Sequence, residues 1–496
     1  MSQVLSRLRE ATPITREEFA ALEPQLRDAL LHAQDDLAGR DFPVIVAIDG
    51  DDVTGCEDVF ELLHAWFDAR YLRAEAFAPP SDEERARPWL ARYWAALPPR
   101  GAIGVWLRSW AGELVAARAA DELDDDAFGR RIAELRRTEE ALVADGALLV
   151  KLWIHAPKKT QKKRIEDAKA SDVWRVSSGD ELVLGRWDEF QSAAERVLDG
   201  TDGPHAPWLV IDGRKGRARS VAAARAIAEL MRARLETTPS TRREAPPERA
   251  TQDPVTILDR IAAPAPLDEH DAETAIERLQ AKLNRLHREA HARGIPLVLV
   301  FEGQDAAGKG GAIRRVSRAL DAPKYKVFPI AAPDERERSR HWLWRFWIRL
   351  PRDGNVAIFD RSWYGRVLVE RVEGYATREA WRRAYGEIED FEAQLLAHGA
   401  CVAKFWLHVS AGEQLRRFEE RDATSFKRYK IGPDDWRNRN RAHDYELAAA
   451  EMFARTSAVV PWHVIAADDK PGARIEVLRH TNAALRASLR IDDTDR

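Results

Sequence analysis

The sequence predicts an α/β protein built from two consecutive domains, each with a parallel sheet flanked by helices. Three observations support this fold class. Short apolar runs, which are typical of buried parallel strands, alternate with longer helix-like stretches. A glycine-rich segment directly follows one of these runs and opens a helix. The whole arrangement occurs twice along the 496 residues, which indicates a tandem duplication.

The strand and helix candidates follow from the periodicity of apolar residues. In the second half, an amphipathic helix is predicted over Glu269–Ala292. The predicted strands of this half are Pro296–Phe301, Asn355–Phe359, Lys404–Val409 and Trp462–Ala466. Those of the first half are Val44–Ile48, Ile103–Leu107, Leu148–Ile154 and Trp208–Ile211. The stretch Thr237–Pro254 is rich in Pro, Thr and charge, so we predict domains at 1–236 and 255–496 with a linker at 237–254.

A constant spacing of 253 residues relates the two halves. The sequence Pro80–Arg85 resembles Pro333–Arg338, and Arg108–Trp110 matches Arg361–Trp363 at the same spacing. Tryptophan, proline and glycine positions between these segments also match. An ungapped repeat over most of a domain predicts that both halves share one fold.

The bulk composition limits the classes of partner. Charged residues make up 32% of the chain and hydrophobic residues 45%, as in ordinary globular proteins. The net charge is −4, so a polyanion would need a local cluster of Lys and Arg, and we expect no nucleic-acid partner. The two cysteines form no disulfide framework, and no signal peptide or membrane span is recognisable. We therefore expect a cytoplasmic protein with no membrane partner.

The glycine-rich segment Gly303–Gly311 (GQDAAGKGG) has the G-x-x-x-x-G-K spacing of a phosphate-binding P-loop, or Walker A motif. Glycines let the backbone N–H groups turn toward phosphate oxygens, and the Lys309 ammonium neutralises their charge. The backbone groups expected to surround the phosphates are those of Gly303, Gly308, Gly310 and Gly311. A Ser or Thr usually follows the lysine and holds Mg²⁺. Because Gly310 stands there, we predict Asp305 as a metal ligand.

Two further features of the second half point to phosphate chemistry. Asp360 directly follows a predicted strand, in the manner of a Walker B carboxylate, and is a second predicted metal ligand. Arg361 beside it is suited to clamp a phosphate. The stretch Gly412–Arg441 holds more Lys and Arg than Asp and Glu. It predicts either a basic lid over phosphates or a solvated helical face. The tryptophan-rich run near Trp344 favours core packing over base stacking.

These motifs resemble the polyphosphate kinase 2 family. The resemblance lies in the loop, in Ile358–Val372 (IFDRSWYGRVLVERV) and in the lid segment Arg417–Trp436. The duplicated form resembles the family's two-domain class of polyphosphate:AMP phosphotransferases. The resemblance implies a thymidylate-kinase-like P-loop fold with a helical lid, and Mg²⁺ or Mn²⁺ as cofactor. It also implies transfer of a terminal phosphoryl group from inorganic polyphosphate to AMP, giving ADP.

The resemblance also implies particular site residues. The expected catalytic residues are Asp305, Lys309, Asp360, Arg361 and Glu370. Besides the loop glycines, the expected phosphate- and nucleotide-binding residues are Arg314, Lys324, Arg417, Arg421, Asp422, Lys427 and Lys430. This sequence has Ala423 where the family often has Pro, so the resemblance does not predict the conformation of the turn in the lid.

The first half has lost the charged residues of this site. At the spacing of 253, Lys309 corresponds to Cys56 and Asp360 corresponds to Leu107. We therefore predict that residues 1–236 form a degenerate, non-catalytic domain with a structural role. A homo-oligomer formed through a duplicated surface is compatible with the sequence.

Three other functions stay open at this point. They are a polyphosphate-dependent kinase of ADP or GDP, an ATP-dependent nucleoside monophosphate kinase, and a non-catalytic polyphosphate-binding scaffold. The spacing of the motifs does not separate the first two from AMP phosphorylation. The intact Lys309 and Asp360 argue against the scaffold, because a protein that only binds phosphates does not need the metal carboxylate.

Overall fold

A computed structural model of the chain describes residues 2–170, 178–237, 258, 261, 268–423 and 433–491. The chain forms two compact units. Unit 1 comprises Met1–Ser81, Leu90–Thr241 and Pro333–Trp344, and unit 2 comprises Asp82–Trp89, Arg242–Ala332 and Arg345–Arg496. Most of the segment predicted as a linker lies outside the described residues. No helix in the described parts of the chain is long and apolar enough to cross a membrane.

A parallel sheet forms the centre of unit 1. Its strands are β1 (Val44–Gly50), β2 (Leu72–Ala76), β3 (Ile103–Leu107), β4 (Leu148–His155) and β5 (Trp208–Asp212), in the order β2-β3-β1-β4-β5. The helices in the described part of residues 16–236 are α1 (Arg16–Leu37), α2 (Val53–Trp66), α3 (Asp82–Arg85), α4 (Ala91–Ala96), α5 (Trp110–Ala119), α6 (Asp125–Ala144), α7 (Lys158–Ala170), α8 (Ser178–Gly185), α9 (Trp187–Thr201) and α10 (Gly216–Glu236). The apolar central strand β1 is buried throughout, except for its last residue.

Unit 2 repeats this topology. Its strands are β6 (Leu297–Gly303), β7 (Tyr325–Pro329), β8 (Val356–Asp360), β9 (Cys401–His408) and β10 (Trp462–Ala466), in the order β7-β8-β6-β9-β10. The helices in the described part of residues 269–489 are α11 (Glu269–Ala292), α12 (Lys309–Arg318), α13 (Glu335–Arg338), α14 (Trp344–Trp347), α15 (Val369–Val372), α16 (Arg378–Ala397), α17 (Ala411–Ala423), α18 (Pro433–Asn440), α19 (Ala442–Thr456) and α20 (Lys470–Leu489). Both units therefore have the predicted parallel α/β architecture.

The apolar runs predicted most of the regular structure. The predicted helix at Glu269–Ala292 is confirmed as α11, and every predicted strand is present, with ends that shift by up to three residues. Trp344, Phe346 and Trp347 are buried, as the core-packing interpretation requires. The sequence analysis missed β2 and β7. Each is a sheet-edge strand that leaves most of its residues at least partly exposed, so neither has a continuous apolar run.

A buried ion pair ties β9 to the helices that cover it. The Lys404 Nζ donates to Glu392 Oε2 at 2.8 Å, to the Tyr364 hydroxyl at 2.7 Å and to the Thr456 carbonyl at 2.8 Å. The side chains of Lys404 and Glu392 are both 0% exposed. Burial raises the pKa of Glu392 and lowers the pKa of Lys404, while the pairing opposes both shifts.

Unit 1 contains the equivalent buried ion pair, between Lys151 and Glu139. The Lys151 Nζ donates to Glu139 Oε2 and to the Thr201 carbonyl, each at 2.7 Å. Lys151 matches Lys404 at the repeat spacing of 253 residues. Because this pair is present in both units, it belongs to the shared fold and not to the chemistry of one copy.

Replacing Lys404 by Met should lower the free energy of unfolding of unit 2 by about 3–5 kcal/mol, because Glu392 stays buried without its cation. Urea unfolding followed by circular dichroism would measure the change. The double variant Lys404→Met/Glu392→Leu should recover most of the loss, since it removes both charges. A Lys404→Met protein as stable as the wild type would contradict this account.

Candidate active site

The predicted site residues lie at one edge of the unit 2 sheet. The strands β6 and β8 run parallel, and their register pairs Phe301 with Asp360. The glycine-rich loop that follows β6 and the turn that follows β8 therefore leave the sheet at the same carboxyl edge. The strand β6 lies between β8 and β9, where the order of the strands reverses. In open parallel sheets, ligands bind at this position.

The loop between β6 and α12 curls because three of its residues adopt left-handed backbone angles. The φ angles are +134° at Gly303, +64° at Ala306 and +104° at Gly308. A Cβ atom at Gly303 would lie 2.3 Å from the Leu407 carbonyl oxygen of β9, so only glycine fits there. The helix α12 begins at Lys309 and directs its free N–H groups back toward the loop. The segment thus has the conformation of an anion-binding P-loop.

The Lys309 side chain folds over this loop. Its Nζ donates to the carbonyl oxygens of Gly303 at 2.7 Å and Gln304 at 3.0 Å. Burial and the nearby Arg361 guanidinium lower the pKa of Lys309, while Asp305 and other carboxylates of the site counteract the shift. The ammonium group is therefore held at the centre of the loop, as the sequence predicted.

Asp305 lies between two positively polarised groups. Its Oδ1 accepts a hydrogen bond from Arg361 Nη2 at 2.7 Å, and its Oδ2 accepts from Asn438 Nδ2 at 2.8 Å. Burial raises the pKa of Asp305, but Lys309, Arg361 and Arg421 outweigh burial and hold it below the ordinary value. Asp305 is therefore an ionised carboxylate near neutral pH.

Asp360 supplies a second carboxylate at the end of β8. It contributes to the electrostatic field at both Lys309 and Arg361. No hydrogen bond or ion pair joins its side chain to another described residue. The described residues contain no group of three or more His, Cys, Asp or Glu side chains suited to a metal ion. Two carboxylates alone would leave most coordination positions of a divalent ion to water and phosphate oxygens.

Arg417 has structural contacts that the sequence did not predict. Its side chain is 2% exposed and forms an ion pair with Glu413 at 2.7 Å. Its guanidinium also donates to the carbonyl oxygens of Ala306 and Ala467, at 2.9 and 2.7 Å. These bonds tie the P-loop to the end of β10. The expectation that Arg417 binds phosphate or nucleotide stays a prediction.

Lys324 lies away from the other predicted site residues. It precedes β7, whose first residue pairs with Val356 at the start of β8. It therefore lies at the amino edge of the sheet, whereas Asp360 ends β8 at the carboxyl edge. Four residues of strand separate the two edges, which is about 13 Å. The fold does not bring Lys324 to the P-loop, and its expected role in binding phosphate or nucleotide stays a prediction.

The remaining predicted residues occupy varied positions. Glu370 lies on α15 and pairs with Arg366 at 3.0 Å. Arg314 is exposed on α12, and Arg421 and Asp422 lie at the end of α17. Lys427 and Lys430 lie outside the described residues. The roles expected for these residues stay predictions.

Several polar residues around the loop had no recognisable signal in the sequence. Asn438 lies on α18 and bonds to Asp305, as described above. The Tyr445 hydroxyl contacts both Asn438 Oδ1 and Glu373 Oε1 at 3.2 Å. Gln414 Nε2 donates to the Asp305 carbonyl at 3.0 Å. These residues are distant from the P-loop in sequence, so only the fold brings them together.

The equivalent loop of unit 1 has a different conformation. The helix α2 begins at Val53, three residues earlier than α12 begins in the repeat. Asp52 caps this helix by accepting a hydrogen bond from the Gly55 N–H at 3.1 Å. Gly50 and Gly55 have no left-handed φ, in contrast to Gly303 and Gly308. The backbone curl needed to surround a phosphate is therefore absent from this segment of unit 1.

Carboxylates of the chain itself pair with the arginines near the N-terminus of α2 in unit 1. Both Asp52 carboxylate oxygens accept from Arg164 Nη1 at 2.8 Å, and Arg219 approaches Oδ2 at 3.5 Å. Arg219 also pairs with Asp58. Cys56 replaces the loop lysine, and burial raises its pKa well above the ordinary value. The arginines at this helix N-terminus are thus neutralised by carboxylates of the chain itself.

A curled loop with a central lysine and two adjacent carboxylates, at the carboxyl edge of a parallel sheet, defines a P-loop phosphotransferase. Comparison with known proteins gives a narrower assignment. The model of the polyphosphate kinase 2 (PPK2) family matches residues 14–239 and 266–492. The chain therefore belongs to the polyphosphate kinase 2 family, with one copy of the family domain in each half.

Several relatives are similar over their whole length. A polyphosphate:AMP phosphotransferase of Pseudomonas aeruginosa is 40% identical over 97% of this chain and 98% of its own. One of Pseudomonas syringae pv. tomato is 42% identical over 95% of this chain and 96% of its own. A crystal structure assigned as a polyphosphate kinase 2 from P. aeruginosa matches with a TM-score of 0.85 and 39% identity, covering 97% of this chain and 98% of that one.

Replacing Gly308 by Ala should lower the free energy of unfolding by about 1–2 kcal/mol, because a Cβ atom is strained at a φ of +104°. The matched control is Gly310→Ala. Gly310 has open space around its Cβ position and no left-handed φ. In a helix, this change should be neutral or stabilise by about 0.5–1 kcal/mol. Chemical denaturation of the two variants measures the difference, and equal stabilities would contradict the strain argument.

Proposed function

We propose that unit 2 transfers a terminal phosphoryl group from inorganic polyphosphate to AMP and so produces ADP. The observation that carries the proposal is the curled loop, in which Lys309 lies beside the Asp305 carboxylate and the Arg361 guanidinium. This combination serves phosphoryl transfer. The choice of polyphosphate and AMP is supported by the full-length similarity to polyphosphate:AMP phosphotransferases.

The chemistry needs alignment and charge neutralisation more than a strong base. A terminal phosphate has a second pKa near 6, so it is already largely ionised at neutral pH. Lys309 and the loop N–H groups would hold one phosphate chain, and Arg361 would cover the charge that develops during transfer. Asp305 and Asp360 would hold Mg²⁺ or Mn²⁺, which would supply further neutralisation of the phosphate charge.

We further propose that unit 1 contributes structure and no turnover. Three features support this proposal: the early start of α2, the Asp52–Arg164 pair and the buried Cys56. The buried Lys151–Glu139 pair and the parallel sheet are nevertheless retained. Because unit 1 keeps the core and lacks the site residues, it is suited to a structural role.

The cellular setting is also part of the proposal. Both cysteines are free and buried, which fits a reducing cytoplasm. We expect polyphosphate and AMP as partners in solution, and a homo-oligomer remains a prediction from the duplicated surface. Light scattering of the purified protein would measure the oligomeric state.

The direct test is incubation of purified protein and Mg²⁺ with defined pairs of donor and acceptor. Polyphosphate with AMP should give ADP, and excess chelator should abolish the product because the site carboxylates would then repel the phosphates. The parallel reactions use ATP as donor, or ADP and GMP as acceptors. Preferential transfer from ATP would favour a nucleoside monophosphate kinase. Binding of polyphosphate without any product would favour a scaffold.

Replacing Lys309 by Ala in the full chain should lower turnover by at least about 10²–10³-fold, because one preorganised charge is lost from the transition state. The matched control is Cys56→Ala at the equivalent position of unit 1, which should keep wild-type turnover. Steady-state rates of ADP formation measure both. Substantial transfer by the Lys309→Ala protein would overturn the assignment of unit 1, since unit 2 would no longer account for the activity.

A further inference from the structure

A buried carboxylate lies directly beneath the proposed site and has no part in the mechanism above. Glu302 is the penultimate residue of β6, and it is 5% exposed. Its Oε1 accepts a hydrogen bond from the Ser362 hydroxyl at 2.8 Å. Glu302 therefore joins the end of β6 to the turn that follows β8.

This turn contains the arginine of the site in a strained conformation. Arg361 has a φ of +64°, and for a residue with a side chain the left-handed region costs about 1–2 kcal/mol. Such strain persists when neighbouring contacts determine the conformation. The Arg361 N–H donates to the Phe301 carbonyl at 2.9 Å, and the hydroxyl of the next residue, Ser362, donates to Glu302. Two consecutive residues of β6 thus hold the turn.

The direction of the Arg361 guanidinium follows from this turn. From its fixed backbone, Arg361 reaches across to Asp305 Oδ1 at 2.7 Å, and its charge acts on Lys309. A change of φ at residue 361 would swing the side chain away from the loop. Burial raises the pKa of Glu302, and Arg361 and Lys309 counteract this shift, so the carboxylate also responds to both cations of the site.

The duplication supplies an internal comparison. In unit 1, Asp49 accepts hydrogen bonds from the Ser109 backbone N–H, at 2.7 Å, and from the Ser109 hydroxyl. Arg108 there has a φ of +56°, and its N–H donates to the Ile48 carbonyl at 3.1 Å. The bond from the serine hydroxyl to the carboxylate is common to both units, with an aspartate in place of the glutamate, and the Ser109 N–H adds a second bond in unit 1. Its arginine, however, pairs with Glu57 at 2.6 Å and not with a P-loop aspartate.

We propose that Glu302 is a positioning residue of the transfer reaction, which holds the turn at Ser362 so that Arg361 points at the phosphate loop. Glu302 itself touches no substrate. The inference rests on the proposed function of unit 2. In unit 1 the equivalent bond preserves the turn, but no reaction depends on it.

The test is the nearly isosteric variant Glu302→Gln, assayed with polyphosphate, AMP and Mg²⁺. The amide keeps the size of the carboxylate but has one acceptor oxygen and no negative charge, so it loses the charge-assisted bond from Ser362. We expect kcat to fall about 10–100-fold, as for misplacement of a catalytic group, while KM for AMP changes less. A loss confined to kcat and kcat/KM indicates an interaction made in the transition state.

Two matched variants separate positioning from stability. Glu302→Asp should restore most of kcat, because an aspartate accepts the corresponding serine hydroxyl bond in unit 1. Asp49→Asn weakens that bond in the unit that we propose to be non-catalytic, and it should leave kcat unchanged. Thermal unfolding of all variants, followed by circular dichroism, gives the fraction folded under the assay conditions.

Each outcome decides the proposal. A Glu302→Gln protein with kcat within about twofold of the wild type would overturn it, as would a loss matched by Asp49→Asn or fully explained by unfolding. If Glu302→Gln does not fold, Ser362→Ala decides, since it removes the hydroxyl bond alone; an unchanged kcat would then overturn the inference. A wild-type protein without transfer would instead refute the proposed function.

Discussion

The site depends on one close approach between two strand ends. At Gly303 the backbone of β6 passes so near the Leu407 carbonyl of β9 that a Cβ atom would lie 2.3 Å from it. The absence of a side chain lets the chain turn with a φ of +134°, and the curl continues through Gly308 into α12. This curl places Lys309 over the loop carbonyls, and Arg417 ties the loop to the end of β10. The phosphate and metal binding that we propose for this site would depend on this backbone path.

The duplication shows that fold and site are separable. Both units keep the same strand order and the same buried Lys–Glu pair, because loss of either partner would leave an uncompensated charge in the core. No comparable energetic constraint retains the charged residues of the site. In unit 1, Asp52 caps α2 and binds Arg164, so a carboxylate of the chain occupies the helix N-terminus that would otherwise attract an anion. The residue of unit 2 that corresponds to Asp52 is Asp305, whose carboxylate accepts hydrogen bonds from Arg361 and Asn438 instead.

The sequence predicted the parts of the fold that depend on local patterns. Continuous apolar runs identified the buried strands, and α11 was predicted with its observed ends. The edge strands β2 and β7 were missed because partial exposure leaves them polar residues. Among the site residues, the P-loop and Asp360 could be found because the chemistry requires those residue types at a strand end. The surroundings of Arg417 and Lys324 could not be predicted, since a basic side chain has the same appearance in sequence whether it binds a phosphate, holds a loop or lies at the opposite edge.

The sequence by itself determined the duplicated α/β architecture, the position of the phosphate loop and the loss of Lys309 and Asp360 counterparts from the first half. These features are local or repeat at a fixed spacing, so they can be read without knowing which residues meet in space. Only the tertiary structure decided which distant side chains surround Asp305, that Glu302 accepts a hydrogen bond from Ser362, and that Asp52 binds Arg164 in unit 1. Those contacts join residues that are far apart in the chain, and their geometry depends on strand register and on backbone angles that no residue type specifies by itself.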